Sequence, residues 1–277
     1  MSSQFLWPNR SGYRAHEGTG FDLDGRESTT ALSNSGIGQE AQAMEWQEIG
    51  SLMVVVAHPD DAEFGSAGTA ARLAREGKAV YYVIVTDGSK GSSDLDMTPE
   101  LLKSTRHREQ LDAARVTGVS EVSFLEFPDG ILEPSIDLRR AITGCIRKFK
   151  PDVVICQSPN RDLSMHVFAQ HPDHLAAGAA TLAAVYPSAR DRMTFPELLD
   201  QGLEPHNVSE IWIAAMSQAD LFVDITSTID IKMEALRQHR SQIDPERVEK
   251  FVPDRARQMA SGQDFDYAEG FKRLTIG

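Results

Sequence analysis

The stretch "SLMVVVAHPDDAEFGSAGTAARLAREGKAVYYVIVT" (residues 51–86) decides how the chain is read. It opens with an apolar, β-branched run (51–57) that predicts a buried strand. It passes through a polar turn into "GSAGTAARLAREG" (65–77), whose spacing predicts a helix closed by Gly77. A second β-branched run, "AVYYVIVT" (79–86), follows. A strand, a helix and a strand of this length make a βαβ unit with parallel strands. The oddity is the end of the first run, where a core strand gives way to His58, Pro59, Asp60 and Asp61.

The same alternation continues outward. "TPELLKSTRHREQLDAARVTG" (98–118) predicts a helix with Thr98 as N-cap and Gly118 as its stop. "EVSFLEF" (121–127) predicts a strand, "PSIDLRRAITGCIRKFK" (134–150) a helix and "PDVVICQS" (151–158) a fourth strand. "HPDHLAAGAATLAAVYP" (171–187) starts a further helix with Pro172 in its first turn. "EIWIAAM" (210–216) and "DLFVDIT" (220–226) are close enough in the chain to suggest an antiparallel edge, and a C-terminal helix is expected over 227–241. The fold class is therefore α/β: a Rossmann-like, mostly parallel sheet with helices on both faces. Residues 1–48, rich in Gly, Ser, Arg, Glu and Gln, read as a loop-rich arm, and 49–277 as one domain. The polar, Pro-containing segment 187–210 is a candidate lid or specificity loop.

Composition narrows the function. Twenty-eight basic against 41 acidic residues give a net charge of −13, which argues against nucleic acid or an anionic membrane as the main partner. No apolar stretch approaches ~18 residues, so no membrane span is expected. The start of the chain lacks a signal-peptide pattern, and the two cysteines, Cys145 and Cys156, form neither a disulfide framework nor a metal pair. A reducing, cytoplasmic location is expected.

In open α/β sheets, ligands collect beyond the carboxyl ends of the strands. His-Pro-Asp-Asp (58–61) follows the first strand and His-Pro-Asp-His (171–174) lies beyond the fourth. Each motif alone has a bland explanation: an Asp pair before a helix caps it and complements its dipole, and HPDH starts a helix. Two such motifs at strand ends are better explained by a catalytic metal, which takes three protein ligands and leaves a position open. His58, Asp61 and His174 can supply the ligands. Asp60 is then free to take a proton from an activated water, and His171 to stabilise an oxyanion or protonate a leaving amine. Two histidines and a carboxylate also suit iron(II); hydrolytic chemistry favours Zn2+.

AHPDDAEFGSAGT (57–69), TDG (86–88), RHREQLDAARVTGV (106–119) and HPDHLAAG (171–178) together resemble the LmbE-like, or PIG-L, family of zinc-dependent deacetylases. The resemblance is strong over 51–187 and weaker through "KMEALRQHRSQ" (232–242) and "YAEGF" (267–271). It implies hydrolysis of an N-acetylglucosamine-type amide in a small sugar or glycoconjugate, with His58, Asp61 and His174 as zinc ligands, Asp60 as base and His171 beside the intermediate. It further implies that Arg106 and Asp129 bind substrate and that the protein forms a homo-oligomer. His107, His166 and His239 read as structural or surface groups. The glycine pattern departs from the family's GxGGT, with Ala67 in place of one glycine. The alternatives are an amidase for a thiol conjugate or other non-sugar amide, a non-catalytic metal-binding protein, and a nucleotide-binding protein. The absence of G-x-G-x-x-G after the first strand counts against the last.

Overall fold

The computed structural model describes residues 43–162, 170–214 and 218–276. Nearly the whole of the N-terminal arm, and His166, lie outside the described residues. The first strand, β1 (Ser51–Val56), runs into a short helix α1 (Asp61–Gly65) and then α2 (Ala67–Arg75). β2 (Ala79–Thr86), α3 (Pro99–Thr117), β3 (Glu121–Phe127), α4 (Ile136–Phe149), β4 (Val153–Gln157) and α5 (Pro172–Ala183) follow. The chain closes with β5 (Glu210–Ala214), β6 (Leu221–Asp224), α6 (Ile229–Leu236), α7 (Pro245–Met259) and β7 (Ala268–Thr275). The seven strands form one sheet in the order β3-β2-β1-β4-β5-β7-β6. The first five are parallel; β7 is antiparallel to both of its neighbours. The α/β reading of the sequence holds.

Alternate residues of β1 enter different cores. Met53, Val55 and Ala57 pack with Leu138, Ile142 and Ile146 of α4 and Ala176, Ala177 and Ala180 of α5. Leu52, Val54 and Val56 pack with Ala70 and Leu73 of α2 and Ile229 of α6. Both faces of the strand are thus dry, which is why its sequence is continuously apolar. Helix ends follow local chemistry: Thr98 Oγ1 accepts the Leu101 N–H at 3.2 Å, and Gly118 ends α3 at φ +82°.

Three expectations need correction, and two elements were not expected at all. β5 and β6 do not pair with each other, because β7 lies between them. Neither α7 nor β7 was anticipated; α7 is strongly polar and contains Pro253, and β7 finds its partners only in tertiary space. The expected C-terminal helix stops at Leu236, and the chain beyond it is held by α3, where Glu109 accepts the Ser241 N–H at 2.9 Å and its hydroxyl at 2.7 Å. Finally, segment 187–210 is no lid. His206 bonds the Pro151 carbonyl at 2.8 Å, and the Asp152 carbonyl accepts the Ser209 N–H at 2.9 Å. These anchors lie at the amino end of β4, the edge opposite the polar motifs.

α5 presses closely on the end of β4. A Cβ on Gly178 would stand 2.3 Å from the Gln157 carbonyl oxygen. Gly178→Ala is therefore expected to destabilise the protein by about 1–3 kcal/mol, read as a lower midpoint in denaturant unfolding.

Candidate active site

The strand order reverses direction at β1, whose neighbours are β2 on one side and β4 on the other. That switch point opens a crevice at the carboxyl edge. The Ala57 N–H donates to Gln157 Oε1 at 3.0 Å, tying the two strand ends together at its floor. The chain leaves β1 through a tight turn in which Asp61 Oδ2 accepts the His58 N–H at 2.8 Å. Within that turn Asp60 adopts φ +93°. Such a conformation costs about 1–3 kcal/mol in a residue with a side chain.

Three side chains converge here. His58 Nδ1 lies 3.2 Å from Asp61 Oδ2 and 3.3 Å from His174 Nε2, and His174 Nε2 lies 3.1 Å from Asp61 Oδ1. Donors bound about 2.0–2.1 Å from a tetrahedral ion stand about 3.3 Å from one another. The triangle therefore has the size, and the nitrogen and oxygen donors, of a metal site. Asp60 contributes no atom to it. Residues from the loop after β1 and from the first turn of α5 meet as the two motifs suggested.

The far side of His58 is equally constrained. Its Nε2 lies 3.2 Å from both Asp173 Oδ2 and Asp129 Oδ1. Asp173 is fully buried and also accepts the N–H groups of Gly130 (2.7 Å) and Leu132 (3.1 Å). A proton on Nε2 leaves Nδ1 with its lone pair toward the triangle, the orientation a ligating imidazole requires. Sequence reasoning missed Asp173, because an acid in the first turn of a helix is already explained by the dipole. Its signal was indirect: a buried imidazole ligand needs an acceptor on its second nitrogen.

His171 caps α5, its Nδ1 accepting the Asp173 N–H at 3.2 Å. Its ring centre lies 4.8 Å from that of His58 and 5.5 Å from that of His174. With Nδ1 so occupied, the neutral ring carries its proton on Nε2. Arg106 and Asp129 are both buried beside the centre. Arg106 donates to the carbonyls of Pro59 (2.8 Å), Gly88 (3.2 Å) and Lys90 (3.1 Å), and its Nη2 stands 3.5 Å from Asp60 Oδ2. Asp129 accepts the Lys90 N–H at 3.0 Å. Both thus commit much of their bonding capacity to the loops that frame the crevice. His239, read as structural, is wholly buried, with Nε2 3.0 Å from Glu63 Oε2.

Charge in the crevice favours a cation. Burial opposes protonation of His58, but bonds to Asp129, Asp173 and Asp61 outweigh it and push the imidazole up to about 12. Burial also works against ionised Asp61, yet His174 and His58 hold it well below the usual carboxylate range. Asp60 goes the other way. Burial, then the charge of Asp61, raise it to about 6 against the pull of Arg106, His239 and His58. Two adjacent carboxylates are thereby given different proton affinities.

Residues 53–185 match the family model "PIG-L: GlcNAc-PI de-N-acetylase". The N,N'-diacetylchitobiose deacetylase from Pyrococcus horikoshii, solved with an inhibitor, shares 30% identity; the match covers 83% of this chain and 85% of that one, with a TM-score of 0.76. The chain belongs to the PIG-L, or LmbE-like, family. This family member is also 29% identical to the diacetylchitobiose deacetylase of Thermococcus kodakarensis (82% of this chain, 84% of the relative). It is likewise 29% identical to a probable N-acetyl-alpha-D-glucosaminyl L-malate deacetylase of Bacillus subtilis (69% and 82%). The family's GxGGT departure is harmless locally. Ala67 is buried within α2, and the close approach falls on the retained Gly68, whose Cβ would stand 2.8 Å from Ile225.

Because His58 holds a proton that a ligand must give up, loading a divalent cation is expected to release at least one proton per ion at pH 7. Calorimetry in buffers of different ionisation enthalpy measures it. Apparent affinity should rise about tenfold per pH unit from 6 to 8.

Proposed function

We propose that this chain is a zinc-dependent hydrolase that removes the acetyl group from an N-acetylglucosamine-type substrate. The observation that carries the reading is the triangle of donor atoms on His58, Asp61 and His174, with Asp60 beside it and outside it. Those three residues would hold the ion. When bound, a divalent cation supplies Lewis acidity, polarising an amide carbonyl and making water ionisable near neutral pH.

The chain's own residues do the rest. Asp60, with a proton affinity matched to weakly acidic conditions, takes the proton of the attacking water. Oxygen adds to the acetamide carbon, and His171 donates from Nε2 to the oxygen that gains negative charge. The carbon–nitrogen bond then breaks. The departing amine receives a proton from Asp60 or His171, so acetate and a free amino sugar leave. Asp173 and Asp129 keep the His58 ring in register throughout. Arg106 and Asp129 are the residues proposed to border the sugar.

The substrate class is supported by the two diacetylchitobiose deacetylases among the relatives. A cytoplasmic location is supported by two free, buried cysteines, and homo-oligomer formation rests on the family resemblance alone. Metal analysis combined with acetate release tests the activity, using N-acetylglucosamine, diacetylchitobiose and thiol conjugates as probes. Acetate should appear with the N-acetyl sugars, stop on chelation and return with zinc. No acetate from any N-acetyl sugar overturns the reading.

Asp60→Ala is expected to keep its metal and lose about 10²–10⁴-fold in kcat, whereas His174→Ala should lose the metal itself. Since the base must be ionised, kcat/KM should fall on an acid limb. Asp60 is raised to about 6 by the protein alone, and in the zinc-loaded enzyme the dication favours its ionised form, so the limb is expected below that value.

A further inference from the structure

Asp60 has a buried support that the proposed reaction does not use. Its side chain makes no capping bond to α1, and its backbone sits at φ +93°, so something else must hold it there. Its N–H donates to Gln110 Oε1 at 3.0 Å. Gln110 is fully buried on α3, one helical turn beyond Arg106, so the two side chains share a face. That face grips the turn at the Pro59 carbonyl, the Asp60 N–H and the Asp60 carboxylate.

The orientation of the Gln110 amide is itself dictated. Its Nε2 donates to Glu63 Oε1 at 3.0 Å, and the other oxygen of Glu63 meets His239 Nε2 at 3.0 Å. Glu63, Gln110 and His239 are all completely buried. A carboxylate accepts and cannot donate, so the amide must turn its NH2 toward Glu63 and its oxygen toward Asp60. The order His239, Glu63, Gln110, Asp60 N–H therefore places the Gln110 NH2 against a carboxylate oxygen and its amide oxygen against an N–H. The chain of bonds joins four parts of the fold: the turn leading into α1, α1 itself through Glu63, the helix α3 and the segment after α6.

We propose that Gln110, oriented by the Glu63–His239 pair, is a positioning residue for Asp60, holding the left-handed turn that keeps this carboxylate off the metal and on the water. The inference rests on Asp60 acting as the base. Gln110 touches no reacting atom; it acts through the Asp60 peptide.

Gln110→Met, nearly isosteric, removes both amide bonds. The variant should keep one metal per chain and a KM within about threefold of the parent, while kcat falls at least tenfold. In an Asp60→Ala background the same substitution should change kcat by less than twofold, because its target is already gone. A crystal structure of Gln110→Met should show Asp60 displaced from φ +93°. If Gln110→Met does not fold, Gln110→Asn, which keeps the amide and shortens its reach, takes the same measurements. A kcat within twofold of the parent overturns the proposal, as does a full loss that persists in the Asp60→Ala background, or an unmoved Asp60. Should Asp60→Ala alone retain the parental rate, the base assignment falls, while the structure of Gln110→Met still shows whether Gln110 holds the turn.

Discussion

Both ring nitrogens of His58 are occupied, and the rest of the site depends on that. One nitrogen faces Asp61 and His174; the other faces Asp173 and Asp129. Neither set would be stable alone. Two buried carboxylates (Asp129, Asp173) and two half-buried ones (Asp60, Asp61) repel one another unless positive charge stands among them. The histidines and Arg106 answer that need, and a divalent cation held by His58, Asp61 and His174 would add to it. The same imidazole binds the first-strand loop to the start of α5 and, through Asp173, to the backbone of Gly130 and Leu132. Three loops from the carboxyl edge are thus fastened around one ring.

The price of this arrangement is local strain and buried polarity. Asp60 is held in the left-handed region, and Glu63, Gln110, His239 and Arg106 are removed from water. The fold tolerates it because Glu63 meets Gln110 of α3 and His239 after α6, Gln110 also meets the Asp60 N–H, and Arg106 donates to the carbonyls of Pro59, Gly88 and Lys90. Helix α3 is central: Arg106, Glu109 and Gln110 each reach a different part of the frame. Its polar character, unusual for a helix packed within a domain, follows from that task. Gly88 belongs to the same frame. At φ +63° it accepts from Arg106, and a Cβ there would come within 3.0 Å of Pro59.

The family relationship and the geometry meet at the level of amide hydrolysis. A fold of this kind hosts more than one chemistry. Function therefore rests on the particular atoms in the crevice. Here those atoms comprise a donor triangle, one carboxylate of raised proton affinity and one histidine with a free N–H.

Much of this was legible in the residues. The alternation of β-branched runs with helical spacing determined the parallel sheet, since strands dry on both faces must be covered by helices. The capping residues Thr98 and Gly118 marked α3, because their chemistry is local. Two short motifs at strand ends named His58, Asp60, Asp61, His171 and His174. What escaped was whatever depends on partners distant in the chain. β7 separates two strands that are close in sequence. Segment 187–210 sits at the amino edge, away from the crevice. Asp173, Glu63, Gln110 and His239 look like ordinary helix or surface residues until burial shows which atoms they must satisfy. A sequence carries periodicity and residue type; only packing in three dimensions decides which polar groups lose water, and therefore which must find one another.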